Sequence, residues 1–303
     1  MKTLLSARKW IIIFICLLSI FALIYCYVPW VNILTKASIA RWAQAALYIY
    51  DPFNDKAKGD SAEKGPRFHY QDLDEPKLQQ LSIMYNLSQF KRHPDFLGFV
   101  ALKDWLRQRF RHGPPPEGLT FHNFDSLKVL GEADANQTFD CGVFSYVYVQ
   151  CVLSIGGQAR VVLLQDKEGG GHIVSEVFSD YWDKWIVVDV DRNLYYTLEG
   201  RPLNALELHN AYLDRDYADI KVIRGPPLED IQEYSLEKEL SKYYHFAIRM
   251  RNDFFTRYPR WHYKGNLYTN CIQWIDSRTP RLLQYIYATD KKEDLYWSLK
   301  NKK

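Results

Sequence analysis

Three side chains in one stretch, Cys141, His172 and Asp189, have the types that a nucleophilic thiol centre requires. A thiol attacks a carbonyl carbon well only when a base takes its proton. An imidazole acts as that base in the correct tautomer when a carboxylate or amide holds its other nitrogen. The stretch runs from Phe139 to Asp191 and supplies the three groups in the order cysteine, histidine, aspartate.

The segments around these residues set where each side chain sits. Residues 142–155, GVFSYVYVQCVLSI, are apolar nearly all round, and Gly156-Gly157 follows. That pattern predicts a buried helix with a glycine stop, and it puts Cys141 in the first turn. The helix dipole there favours a thiolate. Cys151 lies in the middle of the same helix and reads as a small packing residue. Residues 159–164, ARVVLL, predict a buried strand, and GGG at 169–171 opens the approach to His172. In HIVSEVF, His172, Val174, Glu176 and Phe178 share one strand face. In KWIVVDVD, Asp189 ends an apolar run, where a carboxylate is costly unless partnered. Asp191 falls on the same face by alternation and is the other candidate to orient the imidazole. Arg192 and Asn193 follow it and predict a turn with solvent and a counter-charge, so Asp189 is the favoured orienter.

Upstream, residues 94–112 predict a helix with an apolar stripe of Phe96, Val100, Leu102, Trp105, Leu106 and Phe110, stopped by GPPP at 113–116. Residues 125–130 predict a short helix capped by Asp125 or Ser126. Residues 78–88, LQQLSIMYNLS, suit a strand. Downstream, residues 213–303 hold aromatic and branched alternations such as KYYHFAIRM and NLYTNCIQWID, which predict strands. These strands either extend the core sheet or form a small subdomain. His209, His245 and His262 show no metal-ligand spacing.

The chain of 303 residues is 47% hydrophobic and 25% charged, enough for a sizeable core in one or two domains. Its net charge of +3 is spread without a basic block, which argues against nucleic acid as a partner. Residues 10–28 carry no charge, follow Lys2, Arg8 and Lys9, and predict a membrane span with its amino terminus in the cytoplasm. A cleaved signal would show a shorter apolar run with a small-residue site just after it, and Pro29 and aromatics stand there instead. Residues 31–50 suit a helix leaving the membrane, and 51–66 a polar linker. Beyond the apolar segment only Cys151 and Cys271 remain for a disulfide once Cys141 is set aside, so no disulfide framework is indicated. No CxxC pair exists to build structural zinc, and no cofactor is called for.

The motifs taken together are a cysteine at a helix start, then ARVV, then HxxxEV, then WxxVD. They resemble the transglutaminase-like superfamily of papain-like cysteine enzymes, over roughly residues 95–200. The segment 191–212 is similar to one in membrane-anchored bacterial members. The resemblance implies an α+β fold with a cysteine-bearing helix on an antiparallel sheet. It implies Cys141 as nucleophile, His172 as general base and acid, and Asp189 as orienter. It also implies a side-chain oxyanion donor before the cysteine, for which Gln137 and Asn136 compete, beside the backbone N–H of Cys141. The expected organisation is a cytoplasmic tail (1–9), a transmembrane helix (10–28), a juxtamembrane helix and linker (29–66), the transglutaminase-like domain (67–212) and a β-rich extension (213–303). The implied substrate is a peptide or protein amide in the cell envelope, cut by water or transferred to an amine. A binding module on the same fold is the alternative. A zinc hydrolase using Cys141, His172 and Asp189 is disfavoured because no histidine pair accompanies them.

Overall fold

The computed structural model describes residues 68–91, 95–116, 125–134, 137–228, 234–252, 255, 271–279, 282 and 287–296. Residues 10–28, expected to span a membrane, and the helix and linker of 29–66 lie outside the described residues. Among the described residues no helix is long and apolar enough to cross a membrane.

The fold is α+β. Its centre is the helix α4 (Cys141–Ser154) against a six-stranded sheet. The sheet contains β4 (Gln158–Gln165), β5 (Gly171–Ser179), β6 (Lys184–Val188), β10 (His245–Arg249), β12 (Cys271–Trp274) and β13 (Tyr287–Thr289). Its spatial order is β13-β12-β10-β4-β5-β6. The C-terminal strands therefore join the core sheet. All neighbours are antiparallel except β12 and β13, which run parallel, so the expected antiparallel sheet is mixed at one edge.

Alternation along the strands builds two cores. Val161, Leu163, Val177, Ile186 and Val188 face α4, while Val162, Leu164, Val174 and Val187 line the opposite core. Helix α4 is buried all round because the sheet covers one side and three helices contact the rest. These are α1 (Pro76–Met84), α2 (Asp95–Arg109) and α3 (Ser126–Asp134). The second core is closed by α5 (Ala205–Asp214), α6 (Leu236–Leu240) and a small sheet. That sheet orders as β8 (Arg201–Pro202), β7 (Leu194–Leu198) and β9 (Ile220–Arg224). Short parallel pairs join β1 (His69–Tyr70) to β11 (Arg251–Asn252), and β2 (Arg111–His112) to β3 (Thr138–Phe139).

Residues 78–88, expected as a strand, form the end of α1 and a 3-10 turn at Leu87–Phe90. Pro76 presets the first-turn φ, and Leu, Gln and Met favour the helix. Leu78 and Leu81, three apart, are the buried pair, whereas Ile83 and Met84 stay exposed. That is a helical stripe, too narrow to be seen against the branched residues around it. Helix α2 ends at Arg109, and the next residues turn into β2 before the prolines. Asp125 caps α3 by accepting from the Leu127 N–H at 3.1 Å. Cys151 and Cys271 are separate, buried thiols.

One buried ion pair spans the second face of the sheet. Arg160 and Glu176 stand directly opposite each other on β4 and β5. Both are 0% exposed. The guanidinium donates Nε and Nη2 to Glu176 Oε2 at 2.9 and 2.7 Å, and Nη1 to the Leu295 carbonyl at 2.6 Å. Glu176 Oε1 accepts from the Ala205 N–H at the start of α5 and from the Tyr296 hydroxyl. The Trp185 ring lies 4.0 Å from the guanidinium carbon, with Tyr296 on it as well. A buried pair of this kind is strongly destabilising when half is removed, because the other charge is left unpaired. Arg160→Met is expected to lower stability by about 3–5 kcal/mol, measured by chemical denaturation. The double variant Arg160→Met/Glu176→Leu should recover most of that loss. A single variant as stable as the parent would show that the pair is not what holds this face.

Candidate active site

Cys141 opens α4, and the residue before it makes that opening stable. Asp140 has extended backbone angles and its Oδ1 accepts from the Val143 N–H at 3.0 Å. This is an N-cap. The Phe144 N–H is bonded to the Asp140 carbonyl. The N–H groups of Cys141 and Gly142 sit at the mouth of the first turn, where a helix has no intrahelical acceptors to offer.

His172 comes from the start of β5. Its Nε2 lies 2.7 Å from Asp189 Oδ2, and a ring nitrogen lies within 4.8 Å of the Cys141 sulfur. With Nε2 taken by the carboxylate, Nδ1 is the nitrogen left for sulfur. The structure thus joins Cys141, His172 and Asp189 in a line. Two hydroxyls hold helix and strand together beside that line. Ser145, one turn after Cys141, donates to the Ile173 carbonyl at 2.9 Å, and Ser175 donates to the Ser145 carbonyl at 3.3 Å.

Asp189 is fixed from several directions. Its backbone bridges to Leu194 in both directions at 2.9 Å, closing the turn 190–193, and its Oδ1 accepts from the Arg192 N–H at 3.0 Å. Asn193 takes a positive φ of 55° in that turn, which asparagine tolerates better than most residues. The Arg192 guanidinium pairs with the buried carboxylate of Glu239 on α6. Burial alone raises the Asp189 pKa, but the charge and hydrogen bond of His172 and the charge of Arg192 bring it below the usual carboxylate value. Burial likewise lowers the pKa of His172. The Asp189 carboxylate and the hydrogen bonds from it and Cys141 outweigh that and hold the ring well above its ordinary value.

Asp191 is not the solvated turn residue expected from the sequence. It is 7% exposed, and its Oδ1 lies 2.8 Å from Nδ1 of His112 rather than on Arg192. One carboxylate oxygen of Asp191, one ring nitrogen of His172 and the Cys141 sulfur all lie within 4.8 Å of one another. The physical reason is the chain's bend. Strand β6 ends at Val188, so the alternation that put residues 189 and 191 on one face stops before either of them. Asp189 backs the ring, and Asp191 swings to its thiol side.

Two buried cations that the sequence reading passed over set this turn. Arg107 Nε donates to the Asp191 carbonyl at 2.7 Å, and Lys103 Nζ donates to Asn193 Oδ1 at 2.6 Å. Burial pushes the Lys103 amine down, partly offset by Asp104. Both cations sit in α2, four residues apart on one face, among Phe99, Leu102 and Leu106 of its buried side. Charges inside an apolar stripe were the available signal.

Of the two oxyanion candidates, Gln137 is exposed, with its N–H given to the Glu132 carbonyl, and Asn136 lies outside the described residues. Among the described residues the first-turn N–H groups of Cys141 and Gly142 are left as the candidate oxyanion donors. His209 is bound to the Tyr243 carbonyl through Nδ1, and His262 lies outside the described residues.

No family model matches the sequence, and neither does a curated protein. Among solved structures, a proposed cysteine protease of Cytophaga hutchinsonii is similar at 15% identity and a TM-score of 0.32. The match covers 55% of this chain and 57% of that one, so this chain spans little more than half of the Cytophaga protein. EGTA-treated LapG of Legionella pneumophila is similar at 16% identity and a TM-score of 0.30, over 58% of this chain and 95% of that one. Likenesses of this size are partial, and the site stands on its own geometry.

The ring's raised pKa has a definite sign. Its contribution to stability is complete below the unfolded histidine value of about 6.5 and is lost as pH rises through the folded value. Asp189 contributes above the unfolded aspartate value of about 3.9, and its part is lost as pH falls through its depressed folded value. Asp189→Asn removes the carboxylate that opposes burial. The His172 ring, followed by proton NMR, is then expected to titrate below about 6.5, and stability should stop declining with pH above that point. A ring titration unmoved by the substitution would place the cause elsewhere.

Proposed function

We propose that this chain is a thiol enzyme that cleaves or transfers amide-linked acyl groups through Cys141, His172 and Asp189. The observation that carries the reading is the succession of thiol, imidazole and buried carboxylate, with the sulfur within 4.8 Å of a ring nitrogen and Nε2 2.7 Å from Asp189 Oδ2. The sulfur attacks the amide carbonyl carbon as a thiolate, its proton already held on Nδ1 of the His172 imidazolium. The carbonyl π electrons move to oxygen, where the N–H groups of the first turn of α4 meet the charge. Collapse of the tetrahedral intermediate breaks the C–N bond, and the imidazolium gives its proton to the leaving amine. An acyl thioester remains on Cys141. Water, deprotonated by His172, hydrolyses it, or an amine takes the acyl group. A ring held well above its ordinary pKa suits the acid half of this cycle. Asp189 keeps Nε2 as the donor to carboxylate and so directs Nδ1 to sulfur.

Among the described residues the two other thiols do not compete. Burial pushes Cys151 far up and Cys271 up to about 12. An acyl-mimicking electrophile such as a peptidyl vinyl sulfone is expected to label Cys141 alone, mapped by peptide mass spectrometry. His172→Ala should cut the labelling rate by two or more orders of magnitude while the fold persists, since partners of a nucleophile act as a unit. Equal labelling of Cys151, or full labelling without His172, would defeat the reading.

The reading extends to location. An uncharged run at 10–28 behind Lys2, Arg8 and Lys9 supports a single span, with the thiol domain outside the cytoplasm and an envelope peptide as substrate. Protease added to intact spheroplasts should then degrade the domain. A domain protected until the membrane is broken would reverse the orientation.

A further inference from the structure

We infer that Cys141, His172 and Asp191 form an inhibitory site for a borderline-soft divalent cation of the zinc type. The inference rests on the reading of Cys141 as nucleophile for its consequence, though not for the binding itself. Three observations converge. The first is the donor set. A thiol sulfur, an imidazole nitrogen and a carboxylate oxygen lie mutually within 4.8 Å. In tetrahedral zinc the ligand atoms sit about 3.5 Å apart, so the set closes on an ion with about 1 Å of side-chain movement. Sulfur and imidazole together select zinc-like ions over calcium or magnesium.

The second observation is the outer layer. A metal-bound histidine normally gives its other ring N–H to a carboxylate, which fixes the tautomer and sharpens the lone pair. His172 has that partner in Asp189, at 2.7 Å through Nε2. Asp191 is likewise braced, with Oδ1 on His112 Nδ1 at 2.8 Å and its carbonyl on Arg107. Its other oxygen remains for the ion. The third observation is Asp191 itself. The acyl-transfer line needs one carboxylate, and that is Asp189. A second, buried carboxylate on the thiol side contributes nothing to that line and raises the negative charge against which a thiolate must form.

An ion held here would coordinate the thiolate, displace the thiol proton to solvent, and occupy the Nδ1 lone pair. Nucleophile and base would both be blocked, and release of the ion would restore them. Among the described residues three protein ligands are supplied, which leaves the fourth position for water.

The test uses the full chain in zinc-buffered solution. Iodoacetamide alkylation of Cys141 is expected to slow at least tenfold as free zinc rises through the micromolar range. The cobalt-loaded chain should show a thiolate-to-metal charge-transfer band that Cys141→Ala lacks. Asp191→Asn should raise the zinc concentration for half-protection by at least the roughly 10–100-fold that loss of an outer-shell partner costs, each variant being compared with its own zinc-free rate. Asp191→Glu, which keeps a carboxylate, should restore part of the affinity and guards against a merely misfolded variant. Zinc that leaves alkylation untouched, or that protects Asp191→Asn as well as the parent, would overturn the site. A cobalt band on a thiol that no acyl probe labels would uphold the site while refuting the enzyme reading.

Discussion

The Arg160–Glu176 pair is the constraint on which the arrangement depends. It forces two neighbouring strands into one register, because a slip by one residue would carry one charge to the face covered by α4 and leave the other unpaired. That register sets His172 opposite Leu164 and brings the start of β5 level with the mouth of α4. The same carboxylate receives the first N–H of α5, so the helix closing the second core is oriented by the charge that fixes the strands. Desolvating such a pair is costly, and full satisfaction of its hydrogen-bonding atoms is what makes it tolerable.

The site is then a matter of three independently held pieces. Asp140 fixes the helix start, Ser145 and Ser175 fix helix to strand, and the cations of α2 fix the turn that carries both aspartates. All but the Lys103–Asn193 bond join backbone to side chain, and the two long cations are held in place by burial. This is the kind of support that lets a thiol and an imidazole keep a productive distance. Strand β2 adds a fourth tie. It pairs His112 with Phe139, two residues before the nucleophile, and so brings an imidazole from the far end of α2 to the edge of the site.

Much of this was legible in the sequence. The apolar run after Cys141, the branched strands and the interrupted run at Asp189 obey simple periodicities, and the structure places those residues together. The motif letters of ARVV and HxxxEV also contained Arg160 and Glu176, but periodicity says only that they face the same way, and their mutual contact is tertiary. Helix α1 was misread because branched and aromatic residues flank a stripe of just two leucines. Asp191 was misplaced because Arg192 and Asn193 read as a solvated turn, whereas Arg107 and His112 close over it. Lys103 and Arg107 went unread because a cation in an apolar helix face is ordinarily solvated through its long stem, and here it is not.

The two oxygens of Glu176 and the guanidinium of Arg160 have partners at very different distances along the chain. Arg160 and Glu176 are 16 residues apart, whereas the Leu295 carbonyl is 135 residues from Arg160 and the Tyr296 hydroxyl 120 from Glu176. As the chain leaves the ribosome, the hairpin of β4 and β5 can form early, but its charges remain half satisfied and wet. The inner face of the sheet can dry only when residues 295–296 arrive. Loop closure over that separation is slow, so the nascent protein passes through a stage in which thiol and imidazole have been synthesised but the framework that aligns them has not set. Thiol and imidazole are thereby aligned only once the helical segment ending at Leu295 is in place.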